Sequence, residues 1–132
     1  MTTKIYLARH ATPDLSPKYL EYDVMPGPAL TEQGEAEALL MGEFLRAEKI
    51  KEIYASPFKR TQQTARLVAD VIKVPVFIQA ELSEWRHDET EQDVHARLDG
   101  WFEHVCRESG LSGPVCLVSH GGPLGVMLTK LR

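Results

Sequence analysis

The chain has only two cysteines, Cys106 and Cys116, in 132 residues. That is too few, and too poorly patterned, for a disulfide framework or a zinc cluster; two buried thiols in a reducing compartment is the expectation. An excess of positive charge is also lacking: 15 lysines and arginines against 19 aspartates and glutamates give a formal net charge of -4. No global basic field therefore points to nucleic acid, and any anion site must be local. Long hydrophobic runs are missing. The few apolar residues before Arg9 are too short for a signal-peptide core, and no run is long enough to span a membrane. A cytoplasmic protein with no nucleic-acid or membrane partner is expected. There is no Gly-rich nucleotide loop, and His87, His95 and His104 share no metal-ligand spacing, so neither metal nor organic cofactor is implied. With no repeat, low-complexity segment or linker, one domain over residues 1–132 is expected. Oligomeric state is not legible.

What is present is a regular alternation of strand-like and helix-like segments. Ile5-Tyr6-Leu7-Ala8 reads as a strand, followed by a proline-rich loop from Pro13 to Pro28. Leu30-Thr31 opens a first helix, with Thr31 as N-cap and Glu32 and Glu35 in the first turn. Its expected apolar face is Ala36, Leu39, Leu40, Phe44 and Leu45. Ile53-Tyr54-Ala55 is a short strand ending in Ser56-Pro57, and a second helix runs from Phe58 to Val71 with Thr64, Leu67, Val68 and Val71 on one side. Val74 to Ile78 is β-branched and strand-like. Val94, Leu98, Trp101, Phe102 and Val105 mark a third helix. Val115-Cys116-Leu117-Val118 has the continuous apolar character of a central parallel strand. Pro123 suits the first turn of a last helix. The order predicts an α/β fold in three layers, a mostly parallel central sheet with helices on both faces. His10, Ser56 and His120 then fall at one sheet edge, where open α/β sheets place their ligands.

Two of those strand ends carry chemistry. The first strand ends on Arg9-His10, and the fourth on Ser119-His120-Gly121-Gly122. A neutral imidazole is a nucleophile, and a guanidinium neutralises phosphate oxyanions that would repel it. Taken alone, Arg9-His10 is equally a surface arginine and a half-buried histidine at a loop start. Arg60, alone, is a solvated arginine at the start of a helix. Lysines and arginines outside the motifs have acidic neighbours and read as solvated faces.

Taken in order, Arg9-His10-Ala11-Thr12, Leu30-Thr31-Glu32-Gln33-Gly34, Ser56-Pro57-Phe58-Lys59-Arg60-Thr61-Gln62-Gln63-Thr64-Ala65, Leu82-Ser83-Glu84 and Ser119-His120-Gly121-Gly122 resemble the histidine phosphatase superfamily, which includes the cofactor-dependent phosphoglycerate mutases. The resemblance runs from Lys4 to about Leu128. It implies that His10 attacks phosphorus and forms a phosphohistidine, its other nitrogen held by a partner such as a backbone carbonyl. It implies that Arg9 and Arg60 clamp the phosphate oxygens. His120 would donate to an equatorial oxygen from the opposite side. Glu84, preferred over Glu81, would be the general acid and base, partly desolvated and with a raised pKa, next to Trp85 as a shield against water.

The sequence departs from the family pattern in three places. Ala11 stands where glycine is more usual, which is tolerable at negative φ. The stretch from Glu84 to His120 is short, with Glu89-Thr90 leading almost at once into the third helix. A portion after the second histidine curtailed relative to the family is the third expected departure. A mutase must shield its phosphoenzyme from water, so a short open site favours hydrolysis. The expected function is a phosphatase acting on a phosphorylated small molecule or a phosphoprotein. The alternatives are a phosphoglycerate-type mutase, a non-catalytic phospho-ligand binding module and, more weakly, a metal-dependent hydrolase.

Overall fold

The computed structural model of the protein describes residues 4–105 and 113–130. Four strands, β1 (Ile5–Arg9), β2 (Glu52–Ala55), β3 (Val76–Ile78) and β4 (Val115–Ser119), form one sheet in the order β1-β4-β2-β3. Every pairing is parallel. Four helices accompany them: α1 (Glu32–Leu45), α2 (Lys59–Ile72), α3 (Glu91–His104) and α4 (Gly121–Lys130). The expected three-layer α/β fold is the observed one.

Strand alternation sorts the core into two halves. Leu117 and Val115 of β4, with Tyr54 of β2, pack against Val94, Leu98 and Trp101 of α3 and Met127 of α4. The intervening Cys116 and Val118, with Ile53 and Ala55, pack on the other face against Ala65 and Val68 of α2. All five residues of β4 are buried, as a strand covered on both faces requires. The Cys116 thiol, part of that strand, is pushed up to about 12 by burial and is inert packing. Cys106 lies outside the described residues.

Local signals place the helices much as expected. The Thr31 side chain accepts the Gly34 N–H at the start of α1. Thr90 and Asp93 form a reciprocal cap at the start of α3. The Val74–Ile78 segment yields a shorter strand, because Lys73 adopts a left-handed conformation (φ 59°) at the end of α2 and Pro75 has no N–H to offer a ladder.

One expectation fails. The buried face of α1 is Gly34, Ala38, Gly42 and Leu45, whereas Leu39, Leu40 and Phe44 are exposed. A stripe of small residues lets α1 lie close to its neighbours. A Cβ on Gly34 would meet the Thr12 carbonyl oxygen, and one on Gly42 would lie 2.8 Å from Val71 Cβ. Close approach of backbones, rather than burial of the largest side chains, decides how this helix rotates. The bulk-weighted pattern therefore pointed to the wrong face.

This packing gives opposite signs to two glycine substitutions. Gly42→Ala should lower stability by about 1–2 kcal/mol, since the crowding of Val71 outweighs the gain in helix propensity. Gly100→Ala, on a part of α3 with open space around it, should raise stability by about 0.5–1 kcal/mol. Chemical denaturation of both variants tests this; a stabilised Gly42→Ala protein would contradict the close packing.

Candidate active site

Parallel strands bring their carboxyl ends to one edge, and three of those ends build the site. His10 follows β1, Ser56 follows β2 and His120 follows β4. The rings of His10 and His120 face each other at 5.4 Å between centroids. Arg60 enters from the first turn of α2, and Glu84 from the loop before α3. His10, Arg60 and His120 are all buried.

His10 is held in one orientation. Its Nδ1 lies 2.8 Å from the Ala11 carbonyl oxygen, so Nδ1 carries the proton and donates it there. The lone pair of Nε2 then faces the site, with Arg60 Nε at 3.3 Å and Tyr22 Oη at 3.2 Å. Burial is the main reason the ring's pKa is lowered to about 4; the Ala11 contact opposes the shift, and the charges of Arg60, His120 and Arg9 add to it. The imidazole is neutral at ordinary pH, as a nucleophile must be. Ala11, in the place where glycine was considered, does not have positive φ, and its N–H donates to Thr64 Oγ1 of α2 at 3.0 Å.

Arg60 is the buried charge at the centre. Its Nη2 contacts Glu84 Oε2 at 3.2 Å, and its Cζ stands 3.9 Å from the centroid of the Tyr22 ring. Gly27 makes room for it: φ is 69°, and a Cβ there would lie 2.6 Å from Arg60 Nη1. Glycine is required at that turn on both counts.

His120 is fixed from behind. Ser56 Oγ accepts the Phe58 N–H at 3.2 Å and lies 2.8 Å from His120 Nε2. That arrangement favours a proton on Nδ1, which points toward Glu84 Oε2 at 3.4 Å, beyond good hydrogen-bond geometry. Burial lowers the His120 pKa, with Glu84 opposing the shift and Arg60 reinforcing it. Among the described residues, two buried donors, Arg60 Nη1 beside Gly27 and His120 Nδ1 on the Glu84 side, have no hydrogen-bond partner. Buried donors almost always have one, so both retain unused capacity to bind an acceptor.

Glu84 departs from expectation. Burial raises its pKa, but His120, the Trp85 N–H at 2.9 Å and the Arg60 charge outweigh burial and hold it below the usual carboxylate range. The expected partial desolvation is present, but the His120 and Trp85 hydrogen bonds and the Arg60 charge reverse its effect on the carboxyl. Glu81 offers only its backbone carbonyl, to Arg97, and Glu84 is the carboxylate beside Arg60 and His120. Arg9, exposed at the end of β1, lies alongside the start of α4, where a Cβ on Gly121 would be 3.8 Å from its Cζ. Gly122 leaves room for the Trp85 ring.

Two important residues gave no signal beforehand. Tyr22 sits in the Pro13–Pro28 loop, which does form a wall of the site, but nothing in a loop's composition singles out one tyrosine. Arg97 was placed among the solvated faces, and the structure corrects that. It donates to the backbone carbonyls of Glu81, Ser83 and Glu84 at 2.6, 2.8 and 3.1 Å, and to both carboxylate oxygens of Glu89. Arg97 is a positioning residue for the loop that carries Glu84.

The family model of the histidine phosphatase superfamily (branch 1) matches residues 5–92. This chain belongs to the histidine phosphatase superfamily. The matched segment contains Arg9, His10, Arg60 and Glu84, and His120 lies beyond it. Phosphoserine phosphatase 1 of Hydrogenobacter thermophilus is 33% identical over 84 residues, 64% of this chain; the match spans only 39% of that curated relative's length. Among solved structures, a mycobacterial glucosyl-3-phosphoglycerate phosphatase superposes with a TM-score of 0.82 at 21% identity, covering 98% of this chain and 79% of that one. The alpha-ribazole phosphatase of Shigella flexneri gives 0.80 at 22% identity, covering 96% and 78%. At such identities the superpositions establish the shared fold of this histidine phosphatase chain.

The Arg97 network carries a stability prediction. Arg97→Met strands the Glu89 carboxylate, which is 10% exposed, together with three carbonyls, and should cost about 3 kcal/mol. Arg97→Lys should recover only part of this, because one ammonium cannot span both the carbonyls and a bidentate carboxylate. Thermal unfolding checks it; an Arg97→Met protein as stable as the parent would refute the positioning role.

Proposed function

We propose that this chain is a phosphatase that hydrolyses phosphomonoesters through a phosphohistidine on His10. The observation that carries the reading is the geometry at His10 Nε2. Its partner nitrogen is tied to Ala11, its lone pair faces the site, and the orphaned donors Arg60 Nη1 and His120 Nδ1 stand in the same buried cluster. These groups neutralise a phosphoryl group as it nears the imidazole, with Arg9 adding charge from the rim.

The reaction balances as follows. His10 Nε2 attacks phosphorus while the bond from phosphorus to the ester oxygen breaks. The Glu84 carboxylic acid gives its proton to that leaving oxygen, releasing the alcohol. Water then attacks the phosphohistidine, losing a proton to the Glu84 carboxylate as the phosphorus–nitrogen bond breaks. Phosphate leaves and His10 is neutral again.

The lowered pKa of Glu84 bears on where its proton comes from. In the free protein Glu84 is ionised at neutral pH, held so by His120 and Arg60. The phosphate monoanion brings a proton with it. Binding also draws Arg60 and His120 toward the phosphate oxygens, which removes what kept Glu84 charged. The monoanion predominates below about pH 6.

Two outcomes follow. The kcat/KM profile should fall on the acid side as His10 protonates near pH 4, and fall again above about pH 6 as the substrate loses its second proton. A profile flat from pH 6 to 9 would contradict delivery of the proton by substrate. His10→Ala should abolish hydrolysis of an aryl phosphate, at least about a thousandfold below the parent, while phosphate binding persists. Undiminished activity in that variant would refute the His10 mechanism. Binding without turnover by the parent would favour a phospho-ligand binding module, and efficient transfer between phosphoglycerates with negligible hydrolysis would favour a mutase.

A further inference from the structure

A cavity of about 500 Å³ lies directly beside Glu84. If Glu84 protonates the leaving oxygen, the alcohol part of the substrate must lie on the Glu84 side of the phosphate, and this is the space there. One wall is apolar: Val24 and Met25 from the proline-rich loop, Pro57 and Phe58 at the start of α2, and Ala80. The volume suits a ligand the size of an aromatic or branched alkyl group.

The charges on the other wall are already committed. Arg97 spends its N–H groups on three carbonyls and the Glu89 carboxylate. Arg86 is turned to Asp88 at 3.3 Å, with its side chain 56% exposed to solvent. Glu84 and Glu89 are themselves paired, with Arg60 and Arg97. A second anionic group on the substrate would have to give up water for a lining whose arginines, among the described residues, already hold carboxylates, at a desolvation cost.

We propose that this cavity is the leaving-group pocket and selects phosphomonoesters of apolar or aromatic alcohols, against those that carry a further carboxylate or phosphate. This rests on the phosphatase reading above. Selectivity arises from two sources on the same surface: apolar area buried on one wall and, among the described residues, arginines already paired with carboxylates on the other.

The test compares kcat/KM for three alkyl phosphates with leaving groups of similar reactivity: 2-phenylethyl phosphate, O-phosphoserine and 3-phosphoglycerate. The unaltered protein should prefer 2-phenylethyl phosphate by at least about tenfold. Met25→Lys, at a rim position that is 53% exposed, places a free cation in the pocket and should shift the ratio toward 3-phosphoglycerate by about tenfold or more. Equal or better hydrolysis of O-phosphoserine or 3-phosphoglycerate by the unaltered protein would overturn the proposal while leaving the phosphatase reading intact. So would a ratio that Met25→Lys does not move. Hydrolysis of none of the three would overturn the phosphatase reading and the pocket assignment with it.

Discussion

The site depends on one constraint: a guanidinium, that of Arg60, is buried where nothing among the described residues fully satisfies it. Its relative exposure is 0%. Glu84 balances part of its charge, the Tyr22 ring covers its plane, and Gly27 yields the room it needs. One nitrogen remains without an acceptor. Burying such a group is costly unless something negative arrives, so the fold holds a standing preference for an anion beside His10. The same charge lowers the pKa of His10 and of Glu84. In the free protein the His10 ring is neutral and the Glu84 carboxylate ionised at ordinary pH.

The parallel sheet explains why these residues can be so far apart in sequence and still meet. Each strand delivers its carboxyl end to the same edge, so residues 10, 56 and 120 converge without long excursions of the chain. The supports come from the layers around the sheet. Thr64 ties the backbone after His10 to α2, Ser56 backs His120, and Arg97 of α3 grips the loop that bears Glu84. A histidine held by a backbone carbonyl and a glutamate whose own backbone is held by a distant arginine are both oriented in the free protein. That ordering is the part of catalysis a rigid scaffold can contribute in advance.

Much of this was legible from the residues. The continuous apolar run at Val115–Val118 marked the central strand, the Thr31 cap marked the start of the first helix, and the family motifs singled out Arg9, His10, Arg60, Glu84 and His120. What escaped shares a physical character. The rotation of α1 is governed by what glycine and alanine leave empty, which a hydrophobicity pattern does not register. Tyr22 and Arg97 act through tertiary contacts made by residue types that are ordinary on surfaces, and their own spacing carries no trace of the partner. The sign of the Glu84 shift is a balance between burial and the donors around it, His120, the Trp85 N–H and the Arg60 charge. Partial desolvation is expected beside Trp85, whereas the weight of those donors depends on distances that only the folded chain supplies.

The central claim is covalent: His10 Nε2 takes the phosphoryl group. The most direct measurement is rapid quenching of the protein with labelled aryl phosphate into denaturing alkali, where phosphohistidine survives, followed by mass spectrometry of the peptides. The account predicts label on the peptide that contains His10, formed at least as fast as product appears and absent from His10→Ala. Label on any other residue, or turnover that proceeds with none on His10, would contradict it.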